Sequence, residues 1–454
     1  MIKNVLVIGV SLSLMFTDSV YPVKRTTVSN PIASEEAKNV SSERVGNMSV
    51  SKIKEILQKV KEIDDTDNGN LWGIPLHTRV MVVDADTYKV VATEANNKGN
   101  FKKMGSLYVG QLPDDTALAN TSIHYGGKTW AMVLYSDEDD ELDTLALYVH
   151  EMFHNVQEEL GQNGDFYDNS HMDEMNARIY LKLEWQALHK ALVSSGEEKH
   201  TAIADALTFR LARRKEYHST KNENLFEIQE GMAEYTCQKL VYTTDDIMSQ
   251  ILQKDWDRYL DEAKTETLVR SFAYHSGVLY GLLLDDYSTN WRESITSSSD
   301  LGEMLRQCCS IHLSDLSLEE STKRFDYTSI YDYELKRKHK LEKITSKYIE
   351  TFVNGPTLQL KLNKAQVSFN PSKVWQLKGH GTVYTTAEIY DSFGKIVVES
   401  GGLLLSSNWD SAFVSSKRIK INGSTITGNG WTLKLKKGYI LNRKKNGCYV
   451  IIKR

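Results

Sequence analysis

Two histidines and a glutamate in one short stretch are the residues of this chain best suited to chemistry. His150, Glu151 and His154 lie within the segment LALYVHEMFHNVQEEL. Side chains four residues apart share one face of an α-helix, so the two imidazoles could bind a single metal ion. Such an ion lowers the pKa of a bound water, and a glutamate beside it can take the water's proton. This HExxH pattern predicts a metal-dependent hydrolytic site.

A catalytic zinc site usually has three protein ligands and one open position, so a third ligand is needed. The extended pattern HExxHxxGxxH would require glycine and histidine where the chain has Gln157 and Leu160, and it is therefore excluded. A carboxylate from a later helix remains, and the candidates are Glu174, Glu184 and Glu230.

The segment EGMAEY is the strongest candidate for that carboxylate. Glu230 and Glu234 are one helical turn apart, so one could bind the metal while the other accepts the free ring N–H of a ligand histidine. Gly231 and Ala233 are small and would allow this helix to approach the HExxH helix closely. We therefore expect Glu230 to be the ligand, with Glu184 or Glu174 as alternative ligands.

At these residues the chain resembles the gluzincins, the thermolysin-like clan of zinc metallopeptidases. EGMAEY is similar to the EGxAEY segment of the aminopeptidase branch of that clan. The resemblance implies that His150, His154 and Glu230 bind Zn²⁺, that Glu151 is the general base, and that Glu234 supports a ligand histidine.

A second segment, Tyr274-His275-Ser276-Gly277, resembles the YxxG segment of the same branch. The resemblance implies that Tyr274 stabilises the oxyanion of the tetrahedral intermediate, with His275 as the second choice. The resemblance covers roughly residues 138–287. The chain has no GAMEN-like segment, so exopeptidase activity is not implied. The predicted function is a zinc metallopeptidase acting on a peptide or protein. The alternatives are a catalytically inactive peptidase-like binding protein and a zinc hydrolase of a non-peptide bond.

The elements around the motif predict an α+β fold. Apolar residues on most sides of the HExxH segment indicate a buried helix. Residues 66–137 read as a small, mostly antiparallel sheet, with strands at Arg79–Val83, Lys89–Thr93, Thr121–Tyr125 and Thr129–Tyr135. The last strand leads into the motif helix. In thermolysin-like peptidases a strand in this place lies at the sheet edge and pairs with the substrate, whereas the sequence leaves edge and inner positions open.

Residues 138–354 are predicted to form a helical, zincin-like catalytic body. After Gly355-Pro356, short alternating segments separated by turn residues predict a C-terminal all-β domain at residues 356–454. This domain could bind a partner or a glycan. Its tryptophans Trp375, Trp409 and Trp431 are expected to pack in the core rather than to bind ligand.

The N-terminus reads as a signal peptide over residues 1–20, because Lys3 precedes a short apolar run from Val5 to Phe16. A secreted or periplasmic protein without a stable membrane span is expected, with an uncleaved membrane anchor as the alternative. Residues 21–65 are predicted to be a flexible leader followed by a short helix.

Charge and cysteine content exclude several other classes of protein. The net charge of -5 comes with no long basic stripe, so no nucleic-acid partner is expected. The four cysteines show neither metal-ligand spacing nor an obvious disulfide framework. Cys237 is expected to be a small core residue, and the thiols are not expected to compete with the histidines for the metal.

Overall fold

The structure, a computed structural model, describes residues 44–76, 79–113, 116–137, 140–164, 168–249, 267–312, 314, 316–363, 365–369 and 374–454. The predicted signal peptide and the leader up to residue 43 lie outside these residues. The described chain forms two compact units, residues 44–335 and residues 336–454. It contains a small sheet, a helical middle region and C-terminal β-sheets, which confirms the α+β class.

The first unit begins with a two-stranded ribbon, a helix and a six-stranded sheet. The ribbon is β1 and β2, the helix is α1, and the sheet has the order β5-β6-β4-β3-β8-β7. The sheet is mostly antiparallel as predicted, with β3 and β8 as its one parallel pair among the described strands. The bounds are β1 Arg44–Val45, β2 Met48–Ser49, α1 Val50–Asp67, β3 Val80–Val83, β4 Lys89–Ala92, β5 Lys102–Met104, β6 Leu107–Gln111, β7 Thr121–Tyr125 and β8 Lys128–Leu134.

The strand order decides which strand lies at the sheet edge. β8, which leads toward the motif helix, is an inner strand between β3 and β7. The edge position considered for it is therefore wrong, and β7 occupies that position instead. β8 pairs with β3 on one side, and the tight hairpin at Gly126 and Gly127, whose φ angles of 60° and 77° suit a two-residue turn, pairs it with β7 on the other. That turn folds β7 back along the outside of β8.

Helices make up the rest of the first unit and pack around one large apolar core. Helical structure runs from Thr220 to Val241, and a π-helical turn interrupts it at Glu227–Gly231. The helices are α2 Glu141–Val156, α3 Met175–Val193, α4 Gly196–Tyr217, α5 Thr220–Phe226, α6 Met232–Val241, α7 Thr244–Ser249, α8 Phe272–Tyr287, α9 Leu301–Cys308, α10 Leu318–Lys323 and α11 Tyr327–Tyr348, with 3-10 turns at Ser170–Asp173 and Trp291–Ser294. Among the described helices, none is long and apolar enough to cross a bilayer.

The second unit starts within α11 at residue 336, before the boundary predicted at residues 355–356. Tyr348 and Phe352, which precede that predicted boundary, pack against Trp375 and Leu377 of the β domain and so belong to it. A π-helical turn at Ile349–Val353 follows α11. The strands are β9 Thr357–Lys361, β10 Gln366–Phe369, β11 Val374–Leu377, β12 Gly381–Tyr384, β13 Ala387–Asp391, β14 Gly394–Val398, β15 Leu403–Leu405, β16 Ser411–Ser415, β17 Lys420–Asn422, β18 Thr425–Gly428, β19 Trp431–Leu435, β20 Tyr439–Arg443 and β21 Tyr449–Lys453.

These strands form two sheets that share an apolar core. The sheet orders are β10-β13-β14-β19-β18-β17 and β11-β12-β15-β16-β9-β21-β20. Leu358 from one sheet and Ile396 from the other belong to the same buried cluster, so the sheets pack face to face. Trp431 is buried in this core, as predicted for it.

Candidate metal centre

The helix α2 presents the HExxH side chains from a buried position. It begins where the Asp140 carboxylate accepts a hydrogen bond from the Leu142 amide at 2.9 Å, an N-cap that satisfies one free helix N–H. The helix ends at Val156. His150 and Glu151 are buried, whereas His154 is partly exposed at the mouth of the site.

Glu230 meets both histidines of the motif. Its Oε2 atom lies 3.5 Å from His150 Nε2 and 3.6 Å from His154 Nε2. The potential ligand atoms of these three residues all lie within 4.8 Å of one another. The structure therefore brings together the ligand set expected from the sequence.

The π-helical turn at Glu227–Gly231 carries Glu230. Such turns insert an extra residue into a helix, which changes the direction of the side chains, and they are frequent at functional sites. Glu227, at the start of the turn, is buried and makes a paired salt bridge with Arg210, one of whose bonds is 2.7 Å long. Because this pair is buried and bidentate, it fixes the turn that presents Glu230.

The Nδ1 atom of each histidine in the motif has a hydrogen-bond partner, and the Nε2 atom of each faces Glu230. His150 Nδ1 lies 3.2 Å from Glu234 Oε2, and His154 Nδ1 lies 2.8 Å from Gln157 Oε1. A carboxylate or amide oxygen at Nδ1 favours the tautomer with its proton there and a lone pair at Nε2. Glu234 thus has the supporting position expected from the sequence.

Gln157 is a site residue that the sequence analysis did not identify, because it was considered only as the residue that excludes the HExxHxxGxxH pattern. Its Nε2 atom donates to the carbonyl oxygens of Ile228 at 3.2 Å and Gln229 at 2.8 Å. The same side chain therefore ties His154 to the π turn next to Glu230. The available signal was its position one helical turn after His154.

Tyr274 lies against the ligand set. Its hydroxyl donates to Glu230 Oε2 at 2.7 Å, and its ring stacks on that of His150 with centroids 5.5 Å apart. Gly231 and Gly277 explain this proximity, because a Cβ atom on Gly277 would lie 2.3 Å from the Cα atom of Gly231. Their direct backbone contact brings α8 against the π turn. Gly231 thus permits close approach to α8, rather than to the HExxH helix as expected.

The structure does not bring the other candidates to this centre. His275 faces α3, where its Nε2 atom lies 2.9 Å from His189 Nε2. Glu174 is exposed at the start of α3. Glu184 is buried elsewhere, and its carboxylate accepts hydrogen bonds from Arg210, Arg213 and Tyr280.

The Glu184 carboxylate belongs to a buried network of three arginines and four acids. Because buried charges are costly unless they are paired, each arginine in this network contacts at least two of the carboxylates. Its members are Glu184, Arg210, Arg213, Arg214, Glu223, Glu227 and Asp300. Its place in this network gives Glu184 a structural role and excludes it as the third ligand.

Cys237 lies closer to the centre than its sequence pattern predicted. It is buried, but its sulfur atom and potential ligand atoms of His150 and Glu234 lie within 4.8 Å of one another. The thiol donates to the carbonyl oxygen of Glu234 at 3.1 Å. All four cysteines of the chain are free.

Burial and neighbouring charges shift the pKa values of Glu151 and Glu230 in opposite directions. Burial raises the pKa of Glu151, against the opposing effect of the two histidines. Burial would also raise the pKa of Glu230, but His154 and His150 outweigh it and hold that pKa well below its ordinary value. Glu230 is therefore anionic, as a metal ligand must be, whereas the affinity of Glu151 for a proton is increased.

The donor set fits zinc. Two imidazole nitrogens and one carboxylate oxygen are a ligand combination of catalytic zinc sites. Beside them, the buried Glu151 Oε2 atom has no hydrogen-bond partner in the described chain. A buried polar atom without a partner is costly, so a water or ligand proton is expected at this oxygen.

No family model, curated protein or solved structure matches the chain.

Proposed function

We propose that this chain is a zinc-dependent metallopeptidase of the gluzincin type. The observation that carries the proposal is the convergence of His150, His154 and Glu230 beside Glu151, whose buried Oε2 atom has no partner among the described residues. Zinc bound by the three ligands would act as a Lewis acid that polarises water and the substrate carbonyl.

The surrounding side chains have separate roles in this proposal. Glu151 accepts a proton from the attacking water and delivers it to the leaving amine, a task that its raised pKa favours. The Tyr274 hydroxyl, which donates to Glu230 Oε2 in the structure, would turn from that carboxylate to the oxygen on which negative charge develops. Glu234 and Gln157 hold the two imidazoles in the orientation that the ligands need.

The exposed sheet edge supports a peptide as substrate. β7 is the edge strand, and Ser122 on it donates to Asn155, the neighbour of His154, at 2.8 Å. An extended peptide can add to such an edge through its backbone hydrogen bonds, which would bring its carbonyl groups beside α2. This feature favours hydrolysis of peptide bonds over that of other bonds.

The decisive experiment compares Glu151→Gln with a matched control. Glu158→Gln makes the same chemical change on an exposed residue just after the same helix. We expect the Glu151→Gln protein to bind zinc stoichiometrically and to lose hydrolysis of a casein-derived peptide library, while the control keeps both. Undiminished hydrolysis by Glu151→Gln would refute the assigned role of this glutamate.

Zinc analysis of the purified protein separates the remaining alternatives. A peptidase should contain close to one zinc ion per chain, and a chelator should abolish hydrolysis reversibly. A chain that takes up no zinc from supplemented buffer would be a peptidase-like binding protein. A zinc-loaded chain that cleaves no peptide but hydrolyses an ester or another amide would be a non-peptide hydrolase.

A further inference from the structure

The charge of the chain is distributed very unequally between its two units. Residues 336–454, here called the basic unit, contain 22 lysines and arginines but six aspartates and glutamates, although the net charge of the whole chain is -5. A net charge of +16 in a small unit costs free energy through self-repulsion, which a bound polyanion would relieve. The basic unit therefore has the composition of an anion-binding module.

A cavity of about 630 Å³ lies within this unit. Its volume is in the range of small-ligand pockets. Five separate segments form its wall: the end of α11, the β12–β13 turn, the β14–β15 hairpin, the stretch after β16 and the β18–β19 turn. Residues representative of these segments are Lys347, Thr385, Ser400, Lys417, Arg418 and Asn429.

The cations at this cavity are unpaired. Lys347, Lys417 and Arg418 are exposed, and none has an acidic partner within 4.0 Å in the part of the chain that the structure describes. Among the described residues of the cavity wall, Glu399 is the one carboxylate beside the three cations. Three unneutralised cations in one concave site are suited to sulfate or phosphate groups.

The remaining wall groups indicate which anion fits. Hydroxyl groups of Thr386 and Ser400 and the amide of Asn429 offer hydrogen bonds to the hydroxyl groups of a sugar. Trp431 is only 3% exposed, and its ring N–H donates to the Ser415 carbonyl at 2.9 Å. It therefore provides no stacking surface of the kind that single-stranded nucleic acid requires.

We propose that this cavity binds a saccharide that carries sulfate or phosphate groups. Lys347, Lys417 and Arg418 bind the anionic groups, and the hydroxyl and amide side chains bind the sugar. The proposal concerns the basic unit alone and does not depend on the peptidase assignment.

The test measures binding to the full-length protein by fluorescence anisotropy. The probes are a labelled heparin hexasaccharide, the same hexasaccharide after desulfation, a phosphorylated mannose disaccharide and a single-stranded DNA oligonucleotide. The first variant is Lys417→Ala/Arg418→Ala. The matched control is Lys444→Ala/Lys445→Ala, which removes the same charge from exposed residues of the same unit outside the cavity.

We expect the cavity variant to weaken binding of the heparin or mannose-phosphate probe by about tenfold or more, because two charge-assisted contacts are lost. The control should change binding by less than about threefold, the screened effect of distant charges. The relative affinity for the two anionic saccharides identifies sulfate or phosphate as the preferred group.

Three outcomes would overturn the proposal. Equal losses in both variants would mean that binding is spread over the whole basic surface. Undiminished binding of the desulfated hexasaccharide, which keeps only its carboxylates, with no binding of the phosphorylated disaccharide, would exclude sulfate and phosphate groups as what the cavity recognises. Tighter binding of the oligonucleotide, with the same sensitivity to Lys417→Ala/Arg418→Ala, would identify a nucleic acid as the ligand.

Discussion

Replacement of Gln157 by leucine tests whether the orientation of His154 controls metal binding. The Gln157 side chain is 1% exposed and makes three hydrogen bonds, one with His154 and one each with the carbonyl oxygens of Ile228 and Gln229. Leucine fills a similar volume but makes none of them. Loss of an orienting partner of a metal ligand typically lowers metal affinity by about 10- to 100-fold, and we expect a change of that size for zinc.

The same substitution should also destabilise the fold. Each buried polar group left without a partner costs about 1–3 kcal/mol. The carbonyl oxygens of Ile228 and Gln229 each lose only one of their two acceptor positions, so their cost is smaller. We therefore expect the free energy of unfolding to fall by about 2–4 kcal/mol. Zinc affinity is measured by competition with a chromophoric chelator at a temperature where the variant is folded, and stability is measured by urea unfolding of the zinc-free protein.

Two further variants separate the roles of the side chain. Gln157→Glu keeps an acceptor for His154 but cannot donate to the π turn, so zinc affinity should fall less than in Gln157→Leu. Gln162→Leu makes the same chemical change at a buried glutamine whose side-chain atoms have no partner in the described chain, and it should leave zinc affinity unchanged. Wild-type zinc affinity in a destabilised Gln157→Leu protein would refute the orienting role.

Three other predictions follow from contacts described above. Tyr274→Phe should retain zinc but lower kcat by about 100-fold, because one donor to the oxyanion is removed; steady-state kinetics with metal analysis check this, and an unchanged kcat would exclude that role. Gly277→Ala should lower the free energy of unfolding by about 3 kcal/mol or more, since its Cβ atom would overlap the backbone of Gly231; a thermal midpoint equal to that of the wild type would contradict the close contact. Burial would raise the pKa values of Glu223 and Asp300, but the neighbouring arginines hold both below their ordinary values. Stability from these acids is fully present above the ordinary carboxyl pKa of about 4 and is lost as the pH falls from there toward their lower pKa values in the folded protein. Urea midpoints should therefore fall progressively below about pH 4, whereas a constant midpoint would contradict the network's contribution.

Much of the fold followed from local patterns. The HExxH helix and the hairpin at Gly126 and Gly127 were predictable, because apolar periodicity and turn residues act over a few neighbouring positions. The strands β5 and β6 were missed. β5 has only three residues, two of which are exposed lysines, so it lacks the apolar alternation that indicates a strand. The edge position of β7 depended on how strands pair, which alternation does not encode.

In the candidate centre, only the residues that belong to a recognisable motif could be predicted from the sequence. The sequence indicated Glu230 and Glu234, whereas the π turn that presents Glu230 differs from an α-helix by one residue and leaves no periodic signal. Gln157 contacts Ile228, which is more than 70 residues away in the chain, and Cys237 lies near His150 of a different helix. Such contacts arise from tertiary packing, and a local pattern cannot reveal them.

The contact between Gly231 and Gly277 has a consequence for the motions of the centre. With two backbones in direct contact, no side chain can change rotamer between them, so the π turn and the start of α8 are expected to move as one block. Glu230 and Tyr274 would then fluctuate together, and a ligand that shifts one would shift the other. Opening of this block requires separation of two helices, so amide protons on both sides of the contact should exchange with solvent at a common, slow rate.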